Sequence, residues 1–417
     1  MKKSNQTYIF LLFFLWAFGA LAQDIAFPGA LGWASATPGG RGGKIIRVTS
    51  LNGQGPGSFL EAVTSTEPRI VVFEVGGIVD LKGQIITIRS PFLTIAGQTA
   101  PSPGITFIDG GINIQTHDVI VQHIRLRQGA SRHVKGWEPD AMAAISAYNV
   151  VIDHCSFSWG VDENCSASGP RFKGENVDEW RKNTSHSITM SNNIIAEGLS
   201  NSTHPKGEHS KGTLIHDNAT DIAIVGNLYA SNRDRNALFK GGARGIYVNN
   251  YIQNPGRNAI RYGLVDEEWQ GYPHQTGQVT IVGNVMQHGP SSSDMPMMYA
   301  GNGPCEIYME DNIAKNKLGL QARLFFGDTL KIRNEKPVWF AGIKPIKASE
   351  VKKSIVKNAG ARPWDRDEHD KRFISEMLSN SGKVIDSETQ VGGYPASRPT
   401  NKKFVEKDWD LKYMTKK

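Results

Sequence analysis

A short apolar run closed by a polar turn recurs along most of this chain, and few folds can accommodate that pattern. The runs begin at Ile70 (IVVFEV), Phe92 (FLTIAG), Val119 (VIVQHI), Val150 (VVIDHC), Ile188 (ITMSNN), Ile222 (IAIVGN), Ile246 (IYVNNY), Val279 (VTIVGN) and Ile307 (IYMEDN). Successive starts stand roughly 22 to 38 residues apart, which marks a repeat with a short minimum unit and variable insertions. The runs are rich in Val and Ile, and no segment of helical period separates them mid-chain, which argues against a βα alternation. The pattern predicts an all-β fold, a single parallel β-helix. Each coil of such a solenoid adds short strands to parallel sheets, and stacking the coils buries a continuous apolar column. Asn192, Asn193, Asn227, Asn249, Asn250, Asn284 and Asn312 follow the runs. Asparagine tolerates the left-handed backbone of a tight bend, and stacked side chains can hydrogen-bond along a ladder. Turn asparagines of a β-sandwich are the competing reading. The number of repeats and the absence of hairpin signals weigh against it.

An open coil exposes apolar core and unpaired strand edges, so both ends need covers. Ser58 and Glu61 in GSFLEAV form a capping-box pattern that opens a short helix before the first strong strand. Asp367 to Leu378 (DEHDKRFISEML) carries acids early and apolar residues later, as a packing helix would, with the acids as helix-start chemistry and solvated surface. These features define one domain over residues 23–395 and a polar, basic, loosely attached tail over 396–417. Ahead of the domain, Lys2 and Lys3 precede the apolar run Tyr8 to Ala22, which ends in Ala20-Leu21-Ala22. This is the pattern of a secretory signal peptide over residues 1–22, cleaved after Ala22. The run is shorter than the about 20 residues a membrane-spanning helix needs, so no membrane attachment is expected after cleavage.

Export reshapes the meaning of the charge. The 417 residues carry a formal +7, which leans towards anionic partners. Nucleic acid, a membrane surface and acidic polysaccharide are the candidates, and a secreted or periplasmic location disfavours the first; charge alone does not choose between the others. Cys155, Cys165 and Cys305 have no metal-site spacing and read as small buried residues with at most one disulfide.

Three clusters carry candidate chemistry. Glu138 and Asp140 precede the Val150 strand, and Asp162 and Glu163 follow it. Carboxylates leaving adjacent coils at similar positions converge on one face, an oxygen-rich site for a hard cation such as Ca²⁺. Lys211 precedes the Ile222 strand, and Arg233, Arg235 and Lys240 follow it, within a coil or two of the acids. Cations beside a cation site suit a polyanion. Solvated loop charges are the alternative for each cluster taken singly.

From about Ala26 to about Pro395 the chain resembles the pectate lyases, polysaccharide lyase family 1. The likeness rests on GGRGGKIIRVTSLNGQGPGSFLEAV, PRIVVFEVGGIVDL and LTIAGQTAPSPGI, then DAMAAISAYNVVIDHCSFSWGVDEN, then KGTLIHD, IAIVGNLYASNRDRNALFKGG and KVIDSETQVGGYP. The resemblance implies a right-handed parallel β-helix that works as a monomer, and calcium-assisted β-elimination on pectate. It implies Asp140 and Glu138 as calcium ligands, with Asp162 and its neighbour Glu163 in the segment that supplies the rest. It implies Lys211 as a substrate-binding lysine and Arg235 as the catalytic base, with Arg233 and Lys240 facing substrate. Two departures stand out. The family's acids near Asp162 are usually four residues apart rather than adjacent. Its Arg-x-Pro-x-x-Arg reads here as Arg235-Asn236-Ala237-Leu238-Phe239-Lys240, which replaces a planar two-donor fork by a point charge. Hydrolysis on the same scaffold needs paired acid and base aspartates, and the chain has no Asp-Asp dipeptide. A non-catalytic glycan-binding β-helix would not need the clustered Lys211 and Arg235.

Overall fold

The computed structural model describes residues 24–417, so the expected leader lies outside the described residues. Each turn of the chain lays one strand into each of three sheets, of eleven, ten and nine strands, and every third strand rejoins the same sheet. Apart from one C-terminal strand, the pairings in these sheets are parallel, which makes the fold a parallel β-helix. The apolar runs of the sequence are the eleven-stranded sheet, from Lys44–Val48 and Arg69–Phe73 through Tyr148–Asp153 and His186–Ser191 to Leu330–Ile332. Register stacks like on like: Val119 faces Val150, Val150 faces Ile188, and Ile188 faces Ile222. All four are fully buried. Each such side chain contributes about 1.5–3 kcal/mol through burial.

The turn after each of these strands divides two jobs between adjacent residues. The first takes the left-handed conformation: Asn192 (φ +54°), Gly226 (+69°), Asn249 (+53°), Gly283 (+67°) and Asp311 (+48°). The second forms a buried ladder in which the backbone N–H of Asn193, Asn227, Asn250 and Asn284 donates to the side-chain oxygen of the next asparagine at 2.8–2.9 Å, ending on Asn312. Asn227→Ala is expected to cost about 2–3 kcal/mol, because it strands the buried Asn193 N–H and leaves Asn250 Oδ1 with only the backbone N–H of residue 227. Chemical denaturation of the two proteins checks this.

The helix Phe59–Thr64 forms as expected, with Ser58 Oγ accepting from Glu61 N–H at 3.2 Å. Glu61 closes the box on Gly57 N–H at 2.6 Å, one residue earlier than the usual pattern. Its Phe59 packs on Phe73 and Phe107, which closes the N-terminal end of the column. Two helices, Ala348–Asn358 and Glu368–Ser379, lie against the outer face of the ten-stranded sheet, where Val351, Ile355, Phe373 and Met377 cover Ile194, Leu228 and Tyr251.

Two expectations need correction. The acids that open the second helix are not merely solvated surface. Asp367 caps the helix by accepting from Asp370 N–H at 2.7 Å, and Asp367 and Asp370 pair with the buried Arg127 at 3.0 and 2.7 Å. Nor is the C-terminal segment loose. Thr400–Asn401 pairs antiparallel with Val75 and Gly76 and protects the edge of the ten-stranded sheet. Beyond it, Phe404 and Met414 are buried against Ile70, Val72 and Ala96. The three cysteines are free and buried, as small core residues. No helix among the described residues is long and apolar enough to cross a membrane.

Candidate active site

The chain passes from the ten-stranded to the nine-stranded sheet through loops at one corner of the solenoid. Four successive loops there, residues 128–141, 159–162, 197–210 and 231–237, lie above one another because the strands they join are in register. Glu138 and Asp140 come from the first loop and Asp162 from the second. Glu163 opens the strand Glu163–Ser168, and Lys211 opens Lys211–Ile215 directly beside it. Arg233 and Arg235 come from the fourth. Stacking thus brings together side chains far apart in sequence.

Asp140, Asp162 and Glu163 each place a carboxylate oxygen within 4.8 Å of the others. Asp140 is held in place by Glu163 N–H at 2.9 Å and by the Ser166 hydroxyl at 2.5 Å. Burial and the Asp162 charge push the Asp140 carboxyl up from its ordinary pKa, the expected response of two carboxylates forced together. Asp162 goes the other way: burial opposes ionisation, but the hydrogen bond from His209 and the Arg235 charge outweigh it.

Arg235 reaches this group as an ion pair with the buried Glu163. Its backbone is left-handed (φ +59°), a conformation non-glycine residues adopt at a cost of about 1–3 kcal/mol and keep where the surroundings enforce it. Burial lowers the pKa of the guanidinium, while Asp162 and Asp140 pull it back up. Lys211 is 8% exposed and makes no ion pair among the described residues, and burial lowers its pKa too.

Sequence reasoning missed several parts of this corner. His209 Nε2 lies 3.2 Å from Asp162, and His204 Nε2 lies 3.2 Å from Glu138. The Lys206 N–H donates to His204 Nδ1 at 3.1 Å, so the neutral ring carries its proton on Nε2, towards the carboxylate. Beneath the loops, Asn232 Oδ1 accepts from Asn164 at 3.1 Å and from Gly198 N–H at 2.9 Å, and Asn232 donates to Asn236 at 3.1 Å. These buried amides tie the segment carrying Asp162 to the one carrying Arg235. Asn232 follows the strand Leu228–Ala230 much as the ladder asparagines follow theirs, which is the signal that could have found it.

Two of the expected substrate residues point into other partnerships. Arg233 pairs with Glu208 at 2.7 Å. Lys240 sits between Glu268 and Asp217, the latter at 3.4 Å, in a knot that Arg171 also enters. Both Arg171 and Glu268 come from loop insertions whose course no local pattern reveals. Arg257 and Arg261, on the following coil, hold the buried Asp234 at 2.8 and 3.6 Å and extend the run of cations past Arg235.

Carboxylates and cations thus interleave at one corner of a parallel β-helix, and comparison with known proteins shows what family uses such a frame. The "Probable pectate lyase C" of Neosartorya fischeri is 32% identical over 407 residues, 94% of this chain and 86% of the relative. Its counterpart in Aspergillus terreus is 33% identical over 381 residues, 88% of this chain and 81% of the relative. Among solved structures, a pectate lyase bound to a hexasaccharide shares the fold with a TM-score of 0.56 at 14% identity, covering 82% of this chain and 99% of that one. A pectate lyase from Bacillus sp. N165 in complex with trigalacturonate gives 0.51 at 16% identity, covering 80% and 99%. No family model matches the chain. The chain belongs to the pectate lyase family and is a lyase.

Proposed function

We propose that this protein is secreted and cleaves pectate, (1→4)-linked α-D-galacturonan, by calcium-assisted β-elimination. The observation that carries the reading is the position of Arg235, half-buried and ion-paired with Glu163, one of three converging carboxylates. Those carboxylates fit calcium: all are hard oxygen donors, and burial together with repulsion from Asp162 raises Asp140, a cost that a divalent cation relieves. Asp140, Asp162 and Glu163 would hold the ion, with Glu138 at the rim. When bound, calcium supplies positive charge that acidifies the proton on C5 next to the uronate carboxylate. Lys211, buried and without an ion pair among the described residues, would hold that carboxylate. Arg235 would take the C5 proton, the freed electron pair would form the C4–C5 double bond, and the C4–O bond would break to release the glycosidic oxygen. The trigalacturonate bound to the Bacillus relative supports an acidic galacturonide as substrate. The N-terminal Lys2, Lys3 and the apolar run to Ala22 support export.

Mass spectrometry of the products tests the reaction. Elimination adds no water, so one product of each cleavage is expected to be lighter than its hydrolytic counterpart by one water. Products of hydrolytic mass would refute it.

In this reading Lys240 binds a substrate carboxylate only if it exchanges Glu268 and Asp217 for it. Lys240→Ala is therefore expected to change KM by no more than about threefold, whereas Lys211→Ala raises it by about tenfold or more, as loss of a charge-assisted contact should. Steady-state kinetics on polygalacturonate separate the two.

A further inference from the structure

A cavity of about 770 Å³ opens at a different corner, where the chain passes from the eleven-stranded to the ten-stranded sheet. It sits on the coils that carry Asp140 and Asp162, but its walls share no residue with the active corner. Gln98, His123, the Asp153–His154 pair and Trp364 line it, together with residues of the C-terminal segment from Lys402 to Lys416. We propose that this cavity is a second carbohydrate site, which binds a short acidic oligosaccharide without cleaving it.

Three observations support this. His123 is 9% exposed and lines the cavity, and its buried Nδ1 makes no hydrogen bond to the described residues. A buried polar group without a protein partner calls for one from a ligand. Burial keeps this imidazole neutral, so it offers one donor and one acceptor to hydroxyl groups. Second, aromatic surface stands open beside these polar groups: Trp364 is 63% exposed and packs at a tilt on His123, and Trp409 lines the other side. A flat apolar ring next to hydrogen-bonding edges is complementary to a sugar, which has C–H faces and hydroxyl rims. Third, Lys402, Lys403 and Lys416 line the mouth and make no ion pair among the described residues. That selects an acidic sugar over a neutral one. The choice of a galacturonide as occupant rests on the pectate reading above; the site itself rests on the cavity. The C-terminal segment, which looks like an idle tail in the sequence, builds the outer wall of this cavity and supplies its lysines.

The test is a titration of the full mature chain with trigalacturonate in the presence of a calcium chelator, followed by tryptophan fluorescence. Trp364→Ala, and separately Lys402→Glu together with Lys403→Glu, are expected to weaken binding at least tenfold and to leave the maximal cleavage rate with calcium within twofold. The variants lie at exposed positions, and circular dichroism confirms their fold. If either variant titrates like the wild type, or if a neutral trisaccharide such as xylotriose binds as tightly, the proposal is wrong. A chain that binds trigalacturonate at this cavity but fails to cleave polygalacturonate overturns the pectate lyase reading and leaves this site standing.

Discussion

Arg235→Lys is expected to lower kcat/KM on polygalacturonate at least a hundredfold with little change in KM. Lysine keeps the positive charge but loses the length and the planar fork that let Arg235 pair with Glu163 and still face the corner. General-base catalysis contributes about 10²–10⁴-fold, and an ångström of misplacement alone costs about 10²-fold. The pH dependence is a second readout. A base must be neutral, and free arginine has a pKa above about 12. Burial moves Arg235 below that value, so its neutral fraction, and with it kcat/KM, should rise with pH through the alkaline range. In Arg235→Lys the residual activity should rise at lower pH, because lysine gives up its proton more readily. Retention of most activity with an unchanged pH profile would show that Arg235 is not the base.

Asp370→Ala is expected to destabilise the protein by about 3–5 kcal/mol, the usual result of removing one member of a buried ion cluster. Arg125 and Arg127 are wholly inaccessible, and Asp370 meets both, at 3.3 and 2.7 Å. Asp367 stays close to both guanidinium groups but faces water more, so it cannot satisfy two arginines alone. The same cluster sets an acid limit. Burial tends to raise the Asp367 pKa, but Arg127 and Arg125 outweigh it and hold it below the ordinary value. A lowered carboxylate contributes stability that is complete above its unfolded pKa of about 4 and is lost as pH falls through the lower folded value. Thermal unfolding of both proteins at neutral and acid pH, at one scan rate, measures both effects; equal midpoints would show that the helix Glu368–Ser379 is held by its apolar face alone.

Arg125 and Arg127 also show why part of the fold escapes a sequence reading. In IRLR they alternate with Ile124 and Leu126 as residues facing water would, and only the covering helix makes that face an interior. The eleven-stranded sheet is plain in the sequence because its strands are often five or six residues of Val and Ile, long enough to show a pattern. Strands of the ten-stranded sheet such as Ser156–Ser158 and Ile194–Ala196 have three residues and no period to detect. The candidate site divides the same way. Glu163 and Lys211 open strands, and Asp140, Asp162 and Arg235 stand within three residues ahead of one, where the repeat itself dictates which corner they occupy. Lys240 is readable as a cation but not as a neutralised one, because Glu268 reaches it from an insertion after the next coil. His204 and His209 lie in the long loop 197–210, whose path is set by tertiary contacts rather than by the repeat.

Polygalacturonate incubated with the enzyme and calcium, followed at the ultraviolet absorbance of the unsaturated uronide, decides the reaction itself. Absorbance is expected to rise steadily, to stop on addition of a chelator and to resume with excess calcium. New reducing ends without that absorbance would mean bond cleavage by another chemistry, and would contradict elimination at the Arg235 corner.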